Sequence, residues 1–179
     1  MNRAVSLRCI PTKNSDNAKI ILEAIKKKMW VELLSEYNQD PLIPHNILPK
    51  GTGIVISSGG STGGPHKCLL PSQHLNEAAN STGKWLEQEG INPKGCLILN
   101  ALPIHHISGL MQWWRSHFWG AQHTWLKKSL LKNPILLKEF SESLQIGDIR
   151  PIVISLVPTQ LKRLIDHPIG AQWLQSLSL

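Results

Sequence analysis

Gly53-Ile-Val-Ile-Ser57-Ser58-Gly59-Gly60-Ser61-Thr62-Gly63-Gly64-Pro65-His66-Lys67 is the stretch on which the fold reading turns. Its first five residues carry the β-branched run Ile54-Val55-Ile56, bounded by glycine, the mark of a buried strand. From Ser57 to Lys67, eleven residues hold four glycines and four serines or threonines, and they end on basic side chains. Glycines let a backbone approach phosphate and turn its N–H groups inward, hydroxyls add hydrogen bonds, and lysine adds charge. A plain flexible linker has the same composition, but strand and helix patterns flank this stretch closely.

Outward from it, the apolar runs alternate between two periods. Upstream, Ser15 to Tyr37 reads as a helix with a stripe of Ile20, Ile21, Ala24, Ile25, Leu33 and Leu34. Asn38 to Lys50, with three prolines, reads as an irregular connection. Downstream, Ser58 to Pro71 reads as loop and Ser72 to Glu89 as helix, weakened by Gly83. Then come a strand over Cys96–Leu102, a helix over Gly109–Trp119 and a strand over Ala121–Leu126. A helix over Asn133–Leu144, a strand over Ile152–Leu156, a helix from Pro158 to Ile165 and a last short helix after Pro168 follow. Strands alternating with helices imply an α/β fold, a mainly parallel sheet flanked by helices. No internal repeat or low-complexity tract interrupts it.

The chain has 179 residues, enough to bury roughly 70% of its unfolded surface as one domain. Charged residues are 17% and apolar ones 41%, with mean hydropathy −0.12, which argues against disorder or a coiled coil. There is no run of 18 apolar residues and no apolar segment near the start, so neither a spanning helix nor a secretory leader is expected. Cys9, Cys68 and Cys96 are odd in number and lack CxxC spacing, so they read as reduced thiols of a cytoplasmic protein. The net charge of +7 favours anionic partners, but scattered basic residues without a nucleic-acid motif point to small molecules rather than nucleic acid or membrane.

Three chemistries compete for the glycine loop. A Walker A motif fails because Pro65 stands where its lysine belongs. Gly59-Gly60-Ser61-Thr62-Gly63 matches a GxSxG nucleophile elbow, with Asp148 or Asp166 and His167 as the only downstream partners, but Gly64-Pro65 obstructs the helix an elbow enters. The third reading is a resemblance. Ser58 to His66 is similar to the phosphate loop of adenylate-forming enzymes, the superfamily of acyl-CoA synthetases, luciferases and peptide-synthetase adenylation domains. Gly60, Ser61, Thr62, Gly63 and Pro65 match; Gly59 replaces a serine, and His66 falls on the family's lysine, with Lys67 one residue late.

Leu102-Pro103-Ile104-His105-His106-Ile107-Ser108-Gly109-Leu110, followed by Arg115 and Gly120, resembles the acyl-pocket segment of the o-succinylbenzoate–CoA ligase subfamily. Ser155-Leu-Val-Pro-Thr159-Gln-Leu161 looks like a third family motif, in the right order and spacing. An aromatic diacid needs flat apolar walls, a cation for its spectator carboxylate and small donors. Trp113, Trp114 and Trp119 can supply walls, Arg115 a bidentate fork, and His106 and Ser108 hydrogen bonds; core packing and a structural salt bridge are the plainer readings of the tryptophans and the arginine. Four histidines at 105, 106, 117 and 123 fit no zinc spacing, and neighbouring side chains such as those of His105 and His106 are expected to diverge.

The resemblance implies an ATP-dependent acid–thiol ligase of menaquinone or phylloquinone biosynthesis. The acid attacks the α-phosphate of ATP to give an acyl-adenylate, and coenzyme A then takes the acyl group, with Mg²⁺ on the phosphates. By resemblance, Ser58, Gly60, Ser61, Thr62, Gly63 and Lys67 hold phosphate, while His106, Ser108 and Arg115 hold the acid; His106 is also the candidate catalytic residue, and no protein-bound metal is implied. Residues 1–50 read as a helix and Pro-rich connection, and 51–179 as part of the AMP-binding domain. The family's adenine loop, ribose aspartate and C-terminal catalytic domain find no counterpart in these residues. The chain is thus expected to be an N-terminal fragment, inactive alone in pyrophosphate exchange and able to self-associate through an open sheet edge. A generic aryl or medium-chain acyl-CoA ligase and a non-catalytic binding module remain alternatives beside the hydrolase.

Overall fold

The computed structural model describes residues 3–38, 42–58, 66–144 and 150–178. It falls into two compact units, Met1–Ala79 with Pro103–Trp114, and Asn80–Leu102 with Arg115–Leu179.

In the first unit, β1 (Ala4–Cys9), β2 (Trp30–Ser35), β3 (Gly53–Ser58) and β4 (His66–Pro71) form one sheet in that order. β1–β2 and β2–β3 are parallel, and β3–β4 is antiparallel. Helix α1 (Asn14–Lys26) joins β1 to β2. The helix expected over Ser15–Tyr37 is therefore corrected: only its first half is helical. Lys28 adopts a left-handed φ of 56°, Lys28 N–H donates to Ile25 O at 2.9 Å and Met29 N–H to Ala24 O at 3.0 Å. This is a Schellman stop made without glycine. Trp30, Val31, Leu33 and Leu34, four apolar residues in a run of five, are then buried as an interior strand, although Leu33 and Leu34 also suited a helical stripe.

The segment read as loop over Ser58–Pro71 is also corrected, because its second half is β4. Short polar-to-apolar strands at a sheet edge carry little periodic signal. The interior of this unit gathers Trp30, Ile43, Leu48 and Val55. Gly53 is required there: a Cβ would collide with the Trp30 ring and with the backbone carbonyl of Leu70. Trp30 Nε1 donates to Pro49 O at 3.1 Å, so the Pro-rich connection is tied to the sheet through the same indole.

In the second unit, β5 (Leu97–Asn100) lies between β6 (Gln122–Trp125) and β7 (Ile152–Ile154), all parallel. The mainly parallel α/β architecture is as the sequence implied, divided over two sheets. Two helices, α2 (Ser72–Gln88) and α3 (Ile107–Trp119), pass from one unit into the other. α4 (Pro134–Ser143), α5 (Pro158–Ile165) and α6 (Pro168–Gln175) each begin on proline, whose fixed φ suits a first turn. Asn133 Oδ1 caps α4 by accepting Leu136 N–H at 3.2 Å. Leu97, Leu99, Leu131, Leu137, Leu164 and Trp173 form the core beneath these helices. Gly83, doubtful in a helix, lies inside α2, where a Cβ would stand 2.9 Å from Trp119 Nε1. No helix among the described residues is long and apolar enough to cross a membrane.

Candidate functional site

β3 and β4 are the limbs of a hairpin, with Ser57 paired to Lys67 and Ser58 to His66 at the last rung. Between them run residues 59–65. Gly60, Ser61, Thr62, Gly63 and the side chain of Ser58 lie outside the described residues. The limbs still decide one question. A nucleophile elbow passes from strand into helix, whereas this chain passes from β3 into strand β4. Asp166 accepts from Lys162 at 2.8 Å, and His167 Nδ1 accepts Ile169 N–H at 3.2 Å as the cap of α6. Asp148 lies outside the described residues. The GxSxG hydrolase reading is overturned on the strand-to-strand geometry.

Lys67 is held from below. Its Nζ donates to Glu32 Oε1 at 2.6 Å. Glu32 sits at the centre of β2 and is only 1% exposed. Its other oxygen accepts Ile43 N–H at 3.1 Å and Ser6 Oγ at 3.3 Å. A carboxylate so buried requires a paired cation and fixed donors, and it has both. Sequence reading missed Glu32 by placing it on a helix. A lone acid inside Trp30-Val-Glu-Leu-Leu34 was the available signal, since a charge in a buried strand must have a partner. Ser57 Oγ, directly opposite Lys67 on β3, is buried without a hydrogen-bond partner among the described residues.

α3 starts where the chain turns after Pro103. The Pro103 carbonyl accepts His106 N–H at 3.1 Å, and the His106 carbonyl accepts Leu110 N–H at 2.9 Å. His106 and Ser108 are exposed in the turn entering the helix. The rings of His105 and His106 lie 4.5 Å apart at their centroids, so these neighbours do not diverge as expected. Trp113 and Trp114 are buried edge-to-face at 5.9 Å, and Trp114 Nε1 donates to Asn76 Oδ1 at 2.9 Å. Trp119 Nε1 lies 2.9 Å from where a Cβ on Gly83 would stand, and Trp119 lines a small cleft with Asn80, Lys84 and Pro93. Arg115 is partly buried, and burial lowers its guanidinium pKa from the usual value. No hydrogen bond reaches its buried Nε, nor Gln112 Nε2 one turn earlier, among the described residues. Such atoms are rare in folded chains and call for a reason.

The second unit adds a pair that sequence reading did not single out. Asn100, at the end of β5 and 1% exposed, accepts Leu102 N–H on Oδ1 at 3.0 Å, and its Nδ2 stands 3.3 Å from His123 Nε2. His123 also packs edge-on against Trp125 at 4.6 Å.

The fold is similar to that of solved acyl-CoA ligases over part of their length. A malonyl-CoA ligase solved with methylmalonyl-CoA and AMP superposes with a TM-score of 0.66 at 15% identity, over 99% of this chain and 45% of that one. An o-succinylbenzoate coenzyme A synthetase from Bacillus subtilis in complex with AMP gives 0.55 at 14% identity, over 92% and 58%. The chain thus spans about half the length of these neighbours. No protein-family model and no curated protein matches the sequence.

Proposed function

We propose that this chain carries the phosphate-loop and acid-recognition residues of an AMP-forming acid–CoA ligase, with o-succinylbenzoate as the acid. One observation carries the reading: the stretch resembling the adenylate-forming phosphate loop is the β3–β4 connection of a fold shared with acyl-CoA ligases. In this reading Ser58, Gly60, Ser61, Thr62 and Gly63 cradle the ATP phosphates with backbone N–H groups and hydroxyls. Mg²⁺ arrives on those phosphates, and no residue described here is assigned to it. His106 and Ser108, exposed at the entry of α3, donate to the acid, and Arg115 takes its spectator carboxylate. The orphaned Nε of Arg115 supports that last assignment, since a carboxylate would satisfy it.

The acid is its own nucleophile in such a reaction. Its carboxylate oxygen attacks the α-phosphate, pyrophosphate leaves, and the thiol of coenzyme A later displaces AMP. The protein's contribution is position and charge neutralisation. Calorimetric titration with a non-hydrolysable o-succinylbenzoyl-adenylate mimic, against a fatty-acyl-adenylate mimic, tests the reading. Selective binding of the first supports it. Equal binding of both would move the assignment to a general acyl-CoA ligase, and no binding by the folded chain would remove it.

A further inference from the structure

Ser108, Gln112 and Arg115 follow one another at i, i+4 and i+7 on α3, a spacing that sets all three within about 60° of each other on one helix face. The outer two are assigned above to the acid, and Gln112 lies between them along the helix. We propose that Gln112 is a specificity-determining residue of that acid site, its amide Nε2 donating to the keto oxygen of o-succinylbenzoate. The inference rests on the acid-site reading above.

Gln112 is only 3% exposed, and its Nε2 has no hydrogen-bond partner among the described residues. Leu110, Met111, Trp113 and Trp114 around it on the helix are buried and apolar. A buried amide donor without an acceptor is a standing cost to the fold, one that a methionine or leucine at the same place would avoid. An acceptor carried in by the ligand removes that cost. Besides the carboxyl that is activated, the acid has a spectator carboxylate and a ketone. Arg115, a cation whose Nε is also unpaired among the described residues, matches the carboxylate, and the neutral amide matches the neutral ketone. A donor placed for a ketone discriminates against the analogue that lacks one, because the donor then stays buried and unpaired.

Calorimetry on the 179-residue chain compares two non-hydrolysable adenylate mimics, that of o-succinylbenzoate and that of the same acid with its ketone replaced by a methylene. The parent is expected to bind the ketone form about tenfold more tightly, and Gln112→Met to bind both alike. The same variant deletes a buried unpaired donor, so the thermal midpoint of the unliganded chain is expected to rise by about 2–4 °C as the ketone preference is lost. A Gln112→Met chain that keeps the ketone preference would overturn the proposal, and so would a lower midpoint, which would mark the amide as bonded within the fold. A parent that binds the two mimics equally would overturn it without any variant having to fold. A folded parent that binds neither mimic would instead remove the acid-site reading, and this inference with it.

Discussion

His123 Nε2 stands 3.3 Å from the amide nitrogen of Asn100, whose oxygen holds the Leu102 N–H. The contact requires an unprotonated Nε2, so a neutral imidazole fixes the orientation of the amide and, through it, the backbone leaving β5. Burial lowers the pKa of His123 to about 4.

The sign of the resulting pH dependence follows. The unfolded chain takes up this proton near pH 6.5 and the folded one only near 4. The contribution is complete above pH 6.5, declines as the pH falls toward 4, and amounts to at most about 3 kcal/mol. Urea unfolding at pH 7, 5.5 and 4.5 should show that decline, and His123→Gln should flatten it. Equal slopes for parent and variant would contradict the assignment.

Removing Lys67 alone should be far worse than neutralising both members of its pair. Lys67→Ala leaves the Glu32 carboxylate buried and unpaired, at a cost of about 3–5 kcal/mol. Glu32→Gln with Lys67→Met should cost under about 2 kcal/mol. Denaturant midpoints of the single and double variants form the cycle that checks this non-additivity.

Two glycines should respond in opposite ways to alanine. At Gly53 the new methyl meets the Leu70 carbonyl, which the β3–β4 ladder holds in place, as well as the Trp30 ring; about 3 kcal/mol should be lost. At Gly83 the nearest atom belongs to the Trp119 side chain, which can shift, and alanine gains about 1 kcal/mol of helix propensity. Gly83→Ala should therefore be near neutral. Thermal unfolding of both variants decides it.

Arg115→Ala is expected to weaken binding of the o-succinylbenzoyl-adenylate mimic about tenfold or more while leaving thermal stability within about 1 kcal/mol. The guanidinium already lacks a partner at Nε, so its loss opens no hydrogen bond there among the described residues. A large loss of stability with unchanged affinity would mark Arg115 as structural.

Much of the second unit was legible because its elements are punctuated. Proline opens α4, α5 and α6, and short apolar runs make β5 and β7, so those boundaries fall within a few residues of the expected ones. The phosphate-loop and α3 motifs were legible for a different reason: their residue types state a chemistry wherever they fold. β1, β2 and β4 were hidden. β1 and β4 border the sheet and β2 lies inside it, and each is identified by its neighbours more than by its own period.

By itself, then, the sequence determined the α/β class, the glycine loop and the order of the motifs, because these depend on local pattern and residue chemistry. Only the tertiary structure decided that α1 stops at Lys26, that the loop joins two strands, and that Lys67 rests on Glu32. Glu32 and Lys67 lie 35 residues apart and are brought to 2.6 Å by strand pairing across β2, β3 and β4. No local period encodes such a contact, since it comes into being only when the sheet assembles.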